Sequence, residues 1–398
     1  MRTITLREHR TTTHSLSPGE LGQLLATELV EVSPVRGAPG DYLLRPRSTV
    51  GTVVLDGMRL LIRPKLSVEN LFHMLGFGAG VVKWAATSFP FDTHPDVLAV
   101  VARLFEAELR RALAGGVVRG YREHAEALPT LRGRIDVSAQ IRARQGLPLP
   151  LECRFDEFTA DVTLNRLVKA AIHTLLRTAG VEPEVARALR FRLHSFSDVA
   201  AVEYRATEVP TVAFTRLSRH WEDAVALARL ILTRNVLRDR EGAVLGTGFT
   251  VDMNVLFERY ITEEVRRALP AGVMLEAQAR RQLAPRIPIQ PDIVLRGRSG
   301  DVMVADVKYK IPENAWRNPD AFQLLAYCTA LGLPRGLLIY AAPLAHESQS
   351  VTRAGVRLER IGIDLAVNRH ELRARVEAVA RILVANAGTA PPARSATG

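Results

Sequence analysis

The segment Gln290-Pro-Asp-Ile-Val-Leu-Arg-Gly-Arg-Ser-Gly-Asp-Val-Met-Val-Ala-Asp-Val-Lys-Tyr-Lys310 holds the residue types and spacing best suited to chemistry. An apolar run, a Gly-rich break and a second apolar run read as a β-hairpin. With the turn centred near Ser299, the numbers of facing residues sum to about 598, so Asp292 stands opposite Asp306. Facing residues of a hairpin hold their Cβ atoms roughly 4.5–5.5 Å apart. Lys308, two residues beyond Asp306, projects from the same face.

Two carboxylates at that separation repel by on the order of 1 kcal/mol in water and by several times more in a partly buried site. A divalent cation relieves the repulsion, and an all-oxygen donor set suits Mg2+ or Mn2+. Such an ion polarises a phosphoryl oxygen and lowers the pKa of a bound water. The amine of Lys308 suits the orientation of a nucleophile or the stabilisation of transition-state charge. The same letters also fit a solvated strand edge on which Asp292 and Lys308 form a plain ion pair. Spacing alone leaves both readings open.

The elements that must position these residues follow from hydrophobic period and capping signals. Around the hairpin, residues 251–386 alternate helices (252–269, 319–331, 369–386) with strands (273–277, 337–341, 356–363), the pattern of an α/β domain with a mixed sheet. Glu258 sits mid-helix among apolar neighbours. Asn318 and Pro319 start the second helix, which carries Gln323 and Tyr327, four apart, on one face. Upstream, residues 1–90 form a β-rich segment. Its hairpin, Thr52–Ile62, turns at Asp56-Gly57, the pair a type I′ turn favours, and a short helix spans 68–77. Residues 91–250 are mainly helical: helices over 96–114, over 161–179 (capped by Asp161, stopped at Gly180) and over 221–237. A basic stretch from Val117 to Ile135, including Arg119-Gly-Tyr-Arg-Glu-His124, lies between the first two. The fold expected is thus an α+β N-terminal region followed by the α/β domain, with residues 387–398 a disordered tail.

Composition sets outer bounds. The 398 residues suffice for two or three domains, and 47% hydrophobic with 24% charged residues is ordinary for a globular chain. Cys153 and Cys328 make no disulfide framework and fit a reducing, cytoplasmic setting. No apolar run approaches the roughly 18 residues that span a bilayer, so no membrane association is expected. Of the 53 basic residues only five are lysine, and the net charge is +11. That balance favours a polyanionic partner such as double-stranded DNA; an arginine-biased codon composition explains it equally well. Gly76-Phe-Gly-Ala-Gly80 with Lys83 lacks the spacing of a phosphate loop, no histidine or cysteine pair has zinc spacing, and no nucleophile elbow is present.

Pro291-Asp292 followed by Asp306-Val307-Lys308 resembles the PD-(D/E)xK nuclease motif, with Asp in the (D/E) place. Gln323-x-x-x-Tyr327 resembles the QxxxY element of its RecB-like branch, and Glu258 falls where that branch often carries a helical Glu. By that resemblance Asp292 and Asp306 bind Mg2+, Lys308 is catalytic, and Glu258, Gln323 and Tyr327 complete or support the site. Ile62-Arg-Pro-Lys-Leu66, Leu131-Arg-Gly-Arg-Ile135 and the segment from Asp156 to Asn165 resemble McrC, the nuclease subunit of McrBC-type modification-dependent restriction systems. The resemblance implies an Mg2+-dependent endonuclease acting on DNA marked by modified cytosine of the 5-methylcytosine type. It implies as well that the N-terminal region docks on a McrB-like AAA+ hexamer and stimulates nucleotide hydrolysis there, since no Walker motif is present in this chain. A non-catalytic adaptor that grips DNA for such a ring, and a stand-alone RecB-like nuclease in repair or transposition, are the other readings.

Overall fold

The computed structural model of the chain describes residues 1–75, 96–145, 147–234, 236–238, 244–297, 300–310, 312, 316 and 318–387. The chain begins with β1 (Arg2–Arg7), β2 (Thr12–Ser15), α1 (Pro18–Thr27), β3 (Val30–Pro34), β4 (Asp41–Pro46), β5 (Thr49–Leu55) and β6 (Met58–Arg63). Ser17 and Glu20 close a capping box on α1, with Pro18 in its first turn. In the β5–β6 turn the left-handed backbone falls on Gly57 alone (φ 71°). A type I′ turn needs it at Asp56 too, so the expected turn type is corrected: a side chain there would meet the steric cost that glycine escapes. Helix α2 (Val68–Met74) is capped by Ser67. Its expected extension to Phe77, and the Gly76–Gly80 segment with Lys83, lie outside the described residues.

Helix α3 (Val97–Leu113) buries Val97, Leu98, Val101, Leu104, Phe105 and Leu109, the stripe expected from their spacing. Next come β7 (Gly120–Leu128), β8 (Arg134–Ile135), α4 (Val137–Arg144) and β9 (Leu151–Thr159), the three strands ordered β7-β9-β8. No strand was expected in this basic stretch. Strand β7 has no fully buried residue, so the apolar alternation that betrays a strand is missing. After α5 (Thr163–Arg177), α6 (Pro183–Leu193) and α7 (Glu222–Arg234) come β10 (Val236–Arg238) and β11 (Val244–Asp252). Helix α7 therefore ends before residue 237, where the chain turns into β10.

Asp161 does not cap α5; Val162 occupies that place without a side-chain bond. The Asp161 carboxylate instead accepts from Arg166 Nε (2.6 Å), Arg122 Nη1 (2.5 Å) and the Ala200 N–H (2.8 Å). These charge-assisted bonds, Arg166 foremost, hold its pKa down at about 2.

The remaining elements are α8 (Met253–Ala268), β12 (Met274–Ala277), β13 (Arg281–Ala284), β14 (Ile287–Ile289), β15 (Ile293–Gly297), β16 (Gly300–Lys308), α9 (Asn318–Leu331), β17 (Arg335–Tyr340), β18 (Glu347–Val351), β19 (Val356–Gly362) and α10 (Arg369–Ala387). A six-stranded sheet runs β12-β15-β16-β17-β19-β18. The β16–β17 and β17–β19 pairs are parallel, while β12–β15, β15–β16 and β18–β19 are antiparallel. The mixed α/β sheet expected from the alternation is therefore present. Val294, Val304, Leu338 and Tyr340 from one face of this sheet pack with Leu324, Tyr327 and Cys328 of α9. A five-stranded sheet has the order β1-β6-β5-β11-β10, and smaller sheets are β2-β4-β3 and β13-β14. Both cysteines are buried and free. No helix among the described residues is long and apolar enough to cross a membrane.

The chain forms two compact units: residues 1–2, 52–59 and 96–249 make one, and residues 3–51, 60–95 and 250–398 the other. The second unit joins early parts of the chain to late ones through bonds distant in sequence. Asn70 Nδ2 donates to the Leu365 and Val367 carbonyls (2.9 and 2.7 Å), and the Met253 N–H donates to Ser48 O (2.8 Å). Segmentation of the sequence at 90 and 250 does not follow these units, because composition carries no trace of contacts so far apart.

Gly336 of β17 lies directly beneath α9. A Cβ there would sit 2.7 Å from Cys328 Sγ and 2.8 Å from Leu324 Cδ1. Gly336→Val should lower stability by about 1–3 kcal/mol through overpacking, read from urea midpoints. An unchanged midpoint would show that helix and strand are not held this close.

Candidate active site

The hairpin register sets the site. Ile293 faces Ala305, Val294 faces Val304 and Leu295 faces Met303, so Asp292, one residue before β15, comes opposite Asp306 as expected. The register slips by one between Leu295 and Arg296, close to the turn and away from the acids. Ser299, the expected turn centre, lies outside the described residues. Alternation along β16 puts Asp306 and Lys308 on the face of Val304, under α9.

The acids are buried: Asp292 is 9% exposed and Asp306 1%. Lys308 Nζ lies 2.5 Å from Asp306 Oδ2. The ion pair thus joins Lys308 to Asp306, inside the domain, and not to Asp292 on an exposed strand edge. Asp292 has other partners: Oδ2 accepts the Val307 N–H at 2.7 Å, and Oδ1 accepts Gln278 Nε2 at 2.8 Å. The same Gln278 amide donates to Glu258 Oε1 at 2.5 Å, so it clasps two acids of the site. Glu258 reaches them from α8.

Gln278 had no signal in the sequence. It follows β12 with a φ of +50°, uncommon for a residue with a side chain. Its N–H donates to Asp292 O (3.0 Å) and that of Ala279 to Pro291 O (3.1 Å), which extends the β12–β15 pairing beside the site. Helix α9 supplies Gln323 and Tyr327, joined by a Gln323 Nε2 to Tyr327 Oη bond of 2.7 Å. The first turn of α9 is pinned by the buried Asp320, which accepts from Lys310 Nζ and from Tyr340 Oη, each at 2.7 Å. Nothing in the sequence paired Lys310 with Asp320. All six expected residues, Glu258, Asp292, Asp306, Lys308, Gln323 and Tyr327, belong to this one region of the second unit.

The electrostatics follow from crowding. Burial, and then the charge of Asp292, push the Asp306 pKa up to about 7 against the partial offset of Lys308. Glu258 is raised for the same two reasons. Burial would lower Lys308, but the charges of Asp306, Asp292 and Asp320 together hold it above its usual value. The Tyr327 phenol is pushed up to about 12 by burial and by Asp306.

Among the described residues no three His, Cys, Asp or Glu side chains stand ready as a metal cage. Asp292 and Asp306 nonetheless suit a hard cation: all their donor atoms are oxygen, and the two buried carboxylates face the single ammonium of Lys308. Mg2+ commonly takes one or two carboxylates and fills its other positions with water and phosphate oxygens.

A mixed sheet bearing a buried acid pair and a lysine, overlaid by a helix with a Gln–Tyr pair, defines the class of molecule. Residues 44–341 match the family described as "McrBC 5-methylcytosine restriction system component", and the chain belongs to that family. The Escherichia coli (strain K12) protein "Type IV methyl-directed restriction enzyme EcoKMcrBC" is 20% identical over 307 residues, which is 70% of this chain and 86% of that protein. Among solved structures, a chain of the refined half-complex of Thermococcus gammatolerans McrB AAA+ hexamers with bound McrC superposes with a TM-score of 0.63. It is 20% identical, with 95% of this chain and 100% of that chain covered, and so shares the fold.

Without divalent ions, the proton on Asp306 is held more tightly in the folded state than in the unfolded one, where its pKa is near 3.8. Its contribution to stability therefore falls as pH rises from about 4 to about 7. Between pH 5 and pH 8 in EDTA, Asp306→Asn should gain on the wild type by on the order of 2 kcal/mol. A stability difference that does not change with pH would refute this.

Proposed function

We propose that this chain is the nuclease subunit of a McrBC-type restriction system, hydrolysing phosphodiester bonds in double-stranded DNA that carries modified cytosine of the 5-methylcytosine type. The observation that carries the reading is the buried Asp306, abreast of Asp292 and in contact with Lys308, in PD-(D/E)xK order at the sheet of an α/β domain. Family membership and the methyl-directed relative support the restriction setting.

Asp292 and Asp306 would hold Mg2+, or Mn2+ in its place. When bound, the ion supplies Lewis-acid polarisation of the phosphate and a water of lowered pKa. The chain's own groups do the rest. The Val307 N–H and the Gln278 amide fix the two oxygens of Asp292, so its carboxylate is oriented before substrate arrives. Lys308, kept fully protonated by its acidic neighbours, places a positive charge where negative charge grows on the phosphate oxygens. Glu258, with its raised pKa and shared amide, is suited to accept or hold a proton at the edge of the site. Gln323 and Tyr327 orient each other and offer polar atoms to the DNA backbone.

The partner we infer is a McrB-like AAA+ hexamer, the kind of assembly that the Thermococcus gammatolerans structure describes. In the first unit the exposed apolar side chains Tyr121, Leu131, Val137, Ile141 and Phe158 are unusual for a free surface. The rings of Tyr121 and Phe158 meet across β7 and β9, tilted to each other, with centroids 5.3 Å apart. They support docking through residues 121–158, in addition to the N-terminal segment that the sequence pointed to. The partner supplies the nucleotide hydrolysis, and the pair acts in the cytoplasm.

In complex with the AAA+ partner, Asp306→Ala and Lys308→Ala should each cut methylated DNA about 100-fold more slowly or worse, while stimulation of nucleotide hydrolysis stays at the wild-type level. Undiminished cutting by Asp306→Ala would sink the nuclease assignment in favour of a DNA-gripping adaptor. The reverse pattern is expected of Ile141→Glu: the isolated chain keeps its melting temperature but no longer stimulates hydrolysis. Normal stimulation by that variant would remove residues 121–158 from the docking surface.

A further inference from the structure

The segment Ile62-Arg-Pro-Lys-Leu66 has no part in the site described above, yet it carries Lys65, one of only five lysines in the chain. Its surroundings lie behind Lys308. Tyr309 follows Lys308 and, by alternation, projects from the opposite face of the strand. There Lys65 Nζ sits 4.1 Å from the centroid of the Tyr309 ring. The Tyr309 hydroxyl donates to Glu8 Oε2 at 2.9 Å, and the Lys65 N–H donates to that same oxygen at 3.2 Å. Lys65 Nζ also donates to the carbonyl of Ala341 at 3.0 Å. The N–H of Ala341 in turn donates to the carbonyl of Lys308 at 3.1 Å. Two short routes thus run from Lys65 to the Lys308 backbone, one through the Tyr309 ring and one through Ala341.

The cluster is costly to build. Glu8 is 2% exposed, and its Oε1 has no hydrogen bond, with His9 Nε2 3.5 Å away. Burial raises the Glu8 pKa to about 7 and lowers that of Lys65. Replacing a buried charged pair with apolar side chains of similar volume is often neutral or stabilising, so stability alone does not account for Lys65 and Glu8 here. Lys308 itself has a flexible stem, and displacement of a catalytic group by about 1 Å costs on the order of 100-fold in rate. Fixing the backbone on both sides of Lys308 removes one source of that displacement.

We propose that Lys65, Glu8 and Tyr309 are positioning residues for Lys308, a role that rests on the nuclease reading above. By this route the early strands of the second unit bear on the geometry of the cutting site.

Two measurements test it with the full chain. In complex with the AAA+ partner, Lys65→Met and Tyr309→Phe should each lower kcat for DNA cleavage about ten-fold, with KM for DNA within about two-fold of wild type. In the chain alone, reductive 13C-methylation of its five lysines gives a resonance for Lys308, assigned by its loss in Lys308→Arg. Both variants should shift that resonance. If Lys65→Met fails to fold, Tyr309→Phe, which deletes one hydroxyl, decides alone. Wild-type kcat with an unmoved resonance overturns the proposal. So does a loss of cutting that leaves the Lys308 resonance in place, since that marks a general structural defect. Should Lys308→Ala itself cut normally, the nuclease reading falls, and the resonance still reports whether the network holds Lys308.

Discussion

The opposition of Asp292 and Asp306 across the β15–β16 hairpin is the constraint to which the rest of the second unit answers. Two carboxylates forced abreast in a buried place repel strongly, and the pair persists because each acid has its own support. Asp292 is held by a backbone N–H and by the Gln278 amide, and Asp306 by the ammonium of Lys308. Two buried carboxylates thus stand against one ammonium. That crowding, with burial, is why Asp306 keeps its proton to a pH well above the usual carboxylate range.

The support extends outward in layers. On the α9 side, Lys310 and Tyr340 grip Asp320, which seats the helix that brings Gln323 and Tyr327 to the acids. The seat is close because β17 has glycine at position 336. On the other face, Tyr309 joins the strand to Glu8 and Lys65. Strand β16 is therefore braced on both faces at the point where it carries Lys308. Lysine, so rare in this chain, supplies the charge in each of these places, where a compact amine fits and a planar guanidinium would need more room.

Much of the site was legible in sequence, and for definite reasons. The hairpin arithmetic works because side chains alternate strictly and the register slips only beyond Leu295. Gln323 and Tyr327 were paired correctly because a spacing of four returns to the same helix face. Glu258 was found through resemblance, its contact with Gln278 being invisible in one dimension. Gln278 and Asp320 were missed: neither belongs to a periodic pattern, and each matters through partners 10 to 20 residues away. Asp161 looked like a helix cap and is a salt-bridge centre, because Arg122 and Ala200 are brought to it only by folding.

The strands β7 and β9 show the same limit at a larger scale. An exposed ribbon carries little apolar alternation, so its pairing leaves almost no mark on the sequence. What the sequence by itself determined were the local facts: two acids facing across a hairpin, an amine on the same face, and a Gln–Tyr pair on one helix. These depend on periods of two and 3.6 residues that any short stretch displays. Only the tertiary structure decided that Lys308 answers Asp306 and not Asp292, that Gln278 clasps two acids, and that Glu8 and Lys65 stand behind the strand. Such contacts join positions up to some 300 residues apart, and they come from burial and packing, which no local pattern encodes.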